Sequence, residues 1–279
     1  MKYSLYLIGS KARGDDNKNS DIDYVCIYDK KKPELQIQDG SISYYSVSRM
    51  EWMIENSKLF VKHLIQDGDP LVEIKRHRDL LLTFNIKKEI LEEDKRNFIN
   101  SIRSLNWIPN STYGFRWGCD YIYTLARNII YIENSLNGYY HFGYIEAVRY
   151  FLKNKNQSET LPFFIALREE KYRYRSGDRA VETFDATILE TVLSTLAEDN
   201  IILSLGGATK INCERKITYD TLRLLERAII NQEVSDNGYI KQLQNHGDYF
   251  FSLRNSAQIL CKNLQREVKK SESTHGSSN

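Results

Sequence analysis

At 279 residues, 41% of them hydrophobic and 27% charged, the chain is long enough for one large domain or two ordinary ones and apolar enough to fill a core. A formal net charge of +2 argues against a polyanion as an obligatory partner. The cysteines Cys26, Cys119, Cys213 and Cys261 are widely spaced with no Cys-x-x-Cys pair, which argues against zinc and fits reduced thiols. With no signal-like apolar segment and no run of about 18 apolar residues, a soluble cytoplasmic protein without membrane contact is expected.

Leu5 to Ile8 is an apolar strand that ends at Gly9 and Ser10. A polar stretch follows, and a second apolar strand carries Asp21 and Asp23 near its start. Alternation places these two carboxylates on one face. Converging carboxylates repel each other unless a cation lies between them, and hard oxygen donors favour Mg²⁺. The preceding turn has the other half of a phosphate site. Gly9 lets backbone N–H groups approach an anion, Ser10 offers a hydroxyl, and Lys11 and Arg13 offer positive charge.

Lys30 to Pro33 reads as a solvated turn, and Asp39-Gly40 between two alternating runs predicts a hairpin over Leu35 to Val47. Ser48 and Glu51 form the pattern of a capping box for a helix through Met53 and Ile54. Leu59 to Ile65 makes a short helix closed by Asp67-Gly68-Asp69-Pro70, and Leu71 to Ile74 a last strand. The run Lys75 to Arg78 reads as a solvated edge. Helical periodicity then takes over at Lys87 to Leu105, Asp120 to Asn134, Tyr144 to Lys153, Leu161 to Tyr174, Phe184 to Ala197, Tyr219 to Asn231 and Tyr249 to Val268. Lys269 to Asn279 is Ser-rich and polar and is expected to be disordered. The fold class is therefore α+β: a small mixed sheet with flanking helices over residues 1–85, an all-helical region over 86–268, and the tail 269–279.

The layout of an apolar residue, Gly9-Ser10, ten intervening residues Lys11 to Ser20, then Asp21-Ile22-Asp23 inside an apolar strand, resembles the nucleotidyltransferase signature of the DNA polymerase β superfamily. Within it, the helical segments are similar to those of aminoglycoside nucleotidyltransferases of the streptomycin/spectinomycin type. The segments that carry this likeness are Tyr123 to Tyr131, Tyr144 to Phe151 and Leu167 to Tyr172. The resemblance implies a nucleoside triphosphate as substrate, a two-metal Mg²⁺ site on Asp21 and Asp23, and phosphate contacts from Gly9, Ser10, Lys11, Arg13, Ser20 and Arg127. The family's next phosphate-binding lysine is Tyr144 here, and Tyr172 falls one residue off the family's spacing.

Nucleotidyl transfer is an in-line attack of an acceptor hydroxyl on the α-phosphorus, with pyrophosphate leaving and two metal ions about 4 Å apart stabilising both oxygens. The wider superfamily has a third carboxylate on the next strand, where this chain has Ser43, whose hydroxyl is too weak to serve as a base. Three readings follow: a base from a loop or the helical region, with Asp39, Glu73, Asp120 and Glu146 as candidates; an acceptor that needs little base assistance; or a protein that binds nucleotide without turnover. The leading expectation is transfer of a nucleoside monophosphate, AMP from ATP, to a hydroxyl of a small acceptor of the aminoglycoside class. Asp120, Glu133 and Glu146 are then the expected acidic lining. The alternatives are a toxin-like enzyme acting on tRNA or protein, and an antitoxin-like nucleotide-binding module. The sequence leaves the oligomeric state open.

Overall fold

The structure is a computed structural model that describes residues 2–14, 22–178, 180, 183–211, 217–235, 238–240, 256–262 and 264. It divides into two compact units, Met1–Phe98 with Arg127–Ser158, and Ile99–Ala126 with Glu159–Asn279. The architecture is α+β, a mixed four-stranded sheet with helices followed by a mostly helical region.

In the first unit, β1 (Tyr3–Ile8) runs into the short helix α1 (Gly9–Arg13), followed by β2 (Asp23–Tyr28), β3 (Ser41–Ser46), α2 (Val47–Glu55), α3 (Leu59–Asp67), β4 (Asp69–Val72) and α4 (Lys75–Leu82). The sheet order is β3-β2-β1-β4. β1 is antiparallel to both β2 and β4, whereas β2 and β3 are parallel. Tyr6, Val25 and Ile27 share one face of the sheet. They bury against Val47, Met50 and Met53 of α2, Val61 and Leu64 of α3, and Leu81 of α4. Each such side chain removed from water contributes roughly 1.5–3 kcal/mol.

The expected hairpin over Leu35 to Val47 is not formed. Its first arm is not a strand, and β3 instead pairs with β2 in parallel, Asp23 opposite Ser41 and Val25 opposite Ser43. Gly40 has φ +102°, and a Cβ there would lie 2.3 Å from the Ile22 carbonyl oxygen. Asp39-Gly40 therefore marks a close backbone crossing beside β2 rather than a two-residue turn. The cap of α2 is also displaced: Ser46, not Ser48, accepts a hydrogen bond from the Arg49 N–H at 3.2 Å. In the basic run Lys75 to Arg78, which opens α4, Lys75, Arg76 and Arg78 are exposed as expected of a solvated run, whereas His77 turns inward with Leu81.

His77 is fully buried and ties the sheet to α4. Its Nε2 lies 3.1 Å from Asp29 Oδ1 and its Nδ1 lies 3.0 Å from Ser4 Oγ, which itself accepts the Ile74 N–H at 2.9 Å. Every polar atom is satisfied when Ser4 donates to Nδ1 and Nε2–H donates to Asp29.

The helical region holds α5 (Lys88–Ser104), α6 (Thr112–Leu136), α7 (Tyr144–Asn154), α8 (Leu161–Arg175), α9 (Thr187–Ala197) and α10 (Tyr219–Ile230). Two short parallel strands, β5 (Trp107–Ile108) and β6 (Ser204–Leu205), lie in the second unit, whereas α7 lies in the first. Of the expected last helix only 256–262 and 264 are described, and they are helical; the tail 269–279 lies outside the described residues. Cys26, Cys119 and Cys261 are buried free thiols, and burial pushes the Cys26 thiol up to about 11. None of the described helices is long and apolar enough to cross a membrane.

The His77 hydrogen bond, more than any other contact, holds the Asp29 carboxyl below the ordinary carboxylate value. A depressed folded value stabilises the protein above the ordinary carboxylate range and loses that contribution as pH falls through it. Asp29→Asn is expected to lower the urea midpoint at about pH 7 and to make its decline toward about pH 3 shallower than in the wild type, both read from denaturation series across that range.

Candidate active site

Strand register decides what faces what. Ile8, the last residue of β1, pairs with Asp23, the first of β2. Immediately after Ile8 the chain turns: Gly9 has φ +78° and opens α1, and Gly14 with φ +72° closes it. A Cβ placed on Gly9 would lie 3.8 Å from Asp23 Oδ2. The Gly-Ser corner and the Asp23 carboxylate are thus neighbours across the end of the sheet. The other oxygen, Oδ1, accepts a hydrogen bond from Ser41 Oγ at 3.0 Å. Parallel pairing of β2 with β3 supplies that serine, which the hairpin reading had hidden.

Asp21 and Ser20 lie outside the described residues, so the structure reports on one carboxylate of the expected pair. Among the described residues there is no group of three or more His, Cys, Asp and Glu side chains able to hold a metal ion. Lys11 is exposed on α1 and Ser10 is half-buried. Arg13 is engaged elsewhere on the same unit: its Nη1 donates to His63 Nε2 at 3.2 Å and to Asp67 Oδ2 at 3.4 Å. Arg127 is exposed on α6.

The acidic candidates separate clearly. Asp39 is exposed two residues before Ser41, at the end of the sheet that carries Asp23. Ser43 is exposed opposite Val25, and no carboxylate occurs on β3. Glu73 follows β4, whose Val72 pairs with Leu5, so it lies toward the opposite end of β1 from Asp23. There it accepts the Tyr6 hydroxyl at 3.3 Å and pairs with Arg78 at 3.5 Å. Glu146 sits half-exposed on α7, 3.6 Å from Arg149. Glu133 is ion-paired with Lys95. Asp120 is a core residue of the second unit, 2.6 Å from Arg175 and 2.9 Å from Arg223. Both its oxygens are occupied and it is 1% exposed, which removes it from the acidic lining expected of it.

Beside α1, wholly within the first unit, is an open cleft of about 520 Å³. Ala12 and Arg13 of α1, Asp67 and Asp69 around the α3–β4 junction, and His141 and Phe142 before α7 form its wall. Sequence reasoning did not find it, because its wall combines residues 12–13, 66–70 and 141–142, which no local motif links.

Gly9 meets only ordinary van der Waals contact at its missing Cβ, so a substitution there costs through the backbone rather than through a clash. Gly9→Ala is expected to destabilise the protein by about 1 kcal/mol, measured as a lower urea midpoint with an unchanged m value. A comparison with curated proteins returns no match to the chain. Residues 2–105, the stretch that contains the sheet, the Gly9–Ser10 corner and Asp23, match the family model described as the nucleotidyltransferase domain.

Proposed function

We propose that the protein is a nucleotidyltransferase that moves AMP from ATP to a hydroxyl of an acceptor, with release of pyrophosphate. The observation that carries this reading is the juxtaposition of the Gly9 corner with Asp23 inside the matched segment. At the corner, the backbone N–H groups of Gly9 and Ser10, at the start of α1, can donate to phosphate oxygens. Ser10 and Lys11 add a hydroxyl and a positive charge. Arg13 joins them only by leaving Asp67 and His63, so it is assigned a secondary part.

A carboxylate oxygen at the corner is the kind of hard donor that a divalent cation prefers. Asp23 is a carboxylate with Oδ2 directed toward the corner and Oδ1 fixed by Ser41. Asp21 and Asp23 would hold Mg²⁺, which when bound offsets negative charge building on the entering and leaving oxygens. Asp23 would act on the phosphate end of the donor only through that cation, and Ser41 keeps its carboxylate from rotating away. Asp39 is the carboxylate best placed to take the acceptor proton, because it precedes Ser41 at the Asp23 end of the sheet. Glu73 and Glu146, also proposed from the sequence as catalytic, are tied to Tyr6 and Arg78 and to Arg149. Arg127, exposed on α6, is retained as a proposed phosphate contact.

The acceptor follows from the family resemblance alone, and a small polyhydroxylated amine of the aminoglycoside class is the first to test. A tRNA end or a protein side chain is the alternative within the same chemistry. The absence of any carboxylate on β3 favours a second reading, nucleotide binding without turnover.

Labelled ATP, Mg²⁺ and an aminoglycoside panel, with a cell extract in parallel, test the proposal. Label on a panel member identifies a small acceptor, and label on RNA or protein a macromolecular one. Label on nothing, with ATP still bound, leaves the non-catalytic reading. Asp23→Asn is expected to reduce transfer by at least about hundredfold, and Ser41→Ala by about tenfold through loss of carboxylate orientation. Equal activity of wild type and Asp23→Asn would sink the assignment.

A further inference from the structure

The cleft beside α1 is walled by Ala12, Arg13, Asp67, Asp69, His141 and Phe142. At about 520 Å³ it lies in the range of small-molecule pockets, roughly 300–1,000 Å³. Its wall reaches the Gly-Ser corner along α1: Ala12 and Arg13 stand about one helical turn, roughly 5 Å, from Gly9. Its backbone also nears the corner across the sheet: Asp69, the first residue of the edge strand β4, pairs with Leu7, and the next residue Ile8 pairs with Asp23, so the Asp69 side chain leaves from the other face and enters the cleft around the sheet edge. With strands spaced roughly 4.8 Å apart, this sets Asp69 about 10 Å from Asp23 along the backbone. A nucleotide spans a comparable distance from phosphates to base.

The wall is poor for phosphate and suited to a base. Asp67 is already neutralised by Arg13, which leaves Asp69 as an added negative charge. A carboxylate there repels a polyphosphate and accepts a hydrogen bond from an exocyclic amine, the edge that adenine and cytosine present and uracil lacks. His141 supplies a flat surface. Its ring lies nearly parallel to Tyr139, 12° apart with centroids at 6.0 Å, and Tyr139 is stacked on Tyr150 at 3.8 Å and 9°. Three near-parallel rings make a rigid column that ends in the cleft wall. The Gly143 N–H donates to His141 Nδ1 at 3.2 Å, which fixes the plane of the last ring.

We infer that this cleft is the nucleobase subsite of the donor nucleotide: a base carrying an exocyclic amine stacks on His141 and donates that amine to Asp69, while its phosphates lie at the Gly9–Ser10 corner. The inference rests on the nucleotidyl-transfer reading and adds to it the part of the protein that chooses among nucleoside triphosphates. His141 and Asp69 are assigned to binding and not to the chemical step.

Isothermal titration of the full chain in Mg²⁺ with ATP, CTP and UTP, without acceptor, tests it. The wild type is expected to bind ATP and CTP more tightly than UTP. Asp69→Asn, whose amide can also donate to a carbonyl, should shrink the ATP-to-UTP preference by about tenfold. His141→Ala should weaken all three by about tenfold, and His141→Phe should restore them, since the ring face and not the imidazole nitrogen is what stacks. Near-UV circular dichroism of each variant separates lost binding from lost folding. Wild-type binding of UTP as tight as that of ATP, or affinities within about twofold of wild type in both Asp69→Asn and His141→Ala, overturns the subsite while the nucleotidyl-transfer reading stands. Absence of binding by every triphosphate overturns both.

Discussion

The antiparallel register of β1 on β2 is the constraint on which the site depends. Ile8 must stand opposite Asp23 for the Gly9 turn to arrive beside a carboxylate. A slip of one residue would reverse every side chain of the moved strand, taking Tyr6 or Val25 out of the layer packed under α2, α3 and α4 and Asp23 to the other face. Burial of Tyr6, Val25 and Ile27 under α2, α3 and α4 is what forbids that slip. The apolar packing of the sheet therefore specifies the polar geometry at its end, and β3 completes it by bringing Ser41 to the same carboxylate.

The sequence revealed the local features of this arrangement and concealed the long-range ones. The Gly9–Ser10 corner and the two strands beside it could be read directly, because alternation and a turn-forming glycine are properties of neighbouring residues, whereas the short helix α1 that the corner opens was not expected. Asp39-Gly40 misled because a tight glycine reports a close backbone approach without saying to what: here it is Ile22, not the other arm of a hairpin. Ser46 and Ser48 were equivalent as caps until the end of β3 decided between them. Asp120 looked like an open carboxylate because its arginine partners lie 55 and 103 positions away in sequence, a separation no window can span. The nucleotidyltransferase-domain match spans residues 2–105, which include the corner and both strands beside it.

The second unit shows a different way of using charge. Arg223 and Glu226 are fully buried on α10, 3.0 Å apart, with Asp120, Trp117 and Tyr174 completing the cluster. Burial pushes the Glu226 carboxyl above its ordinary value, and Arg223 opposes that shift. Such clusters add little net stability compared with a well-packed apolar core, but each member left alone is costly. The cluster therefore disfavours other packings of α6, α8 and α10, in which any one of these charges would be left alone.

The cleft and the Gly-Ser corner belong to one compact unit, with α1 as their common wall. If the cleft selects the donor as proposed, that choice is held within one unit and can persist while the other unit changes. A lineage built this way can exchange one half of its chemistry without relearning the other.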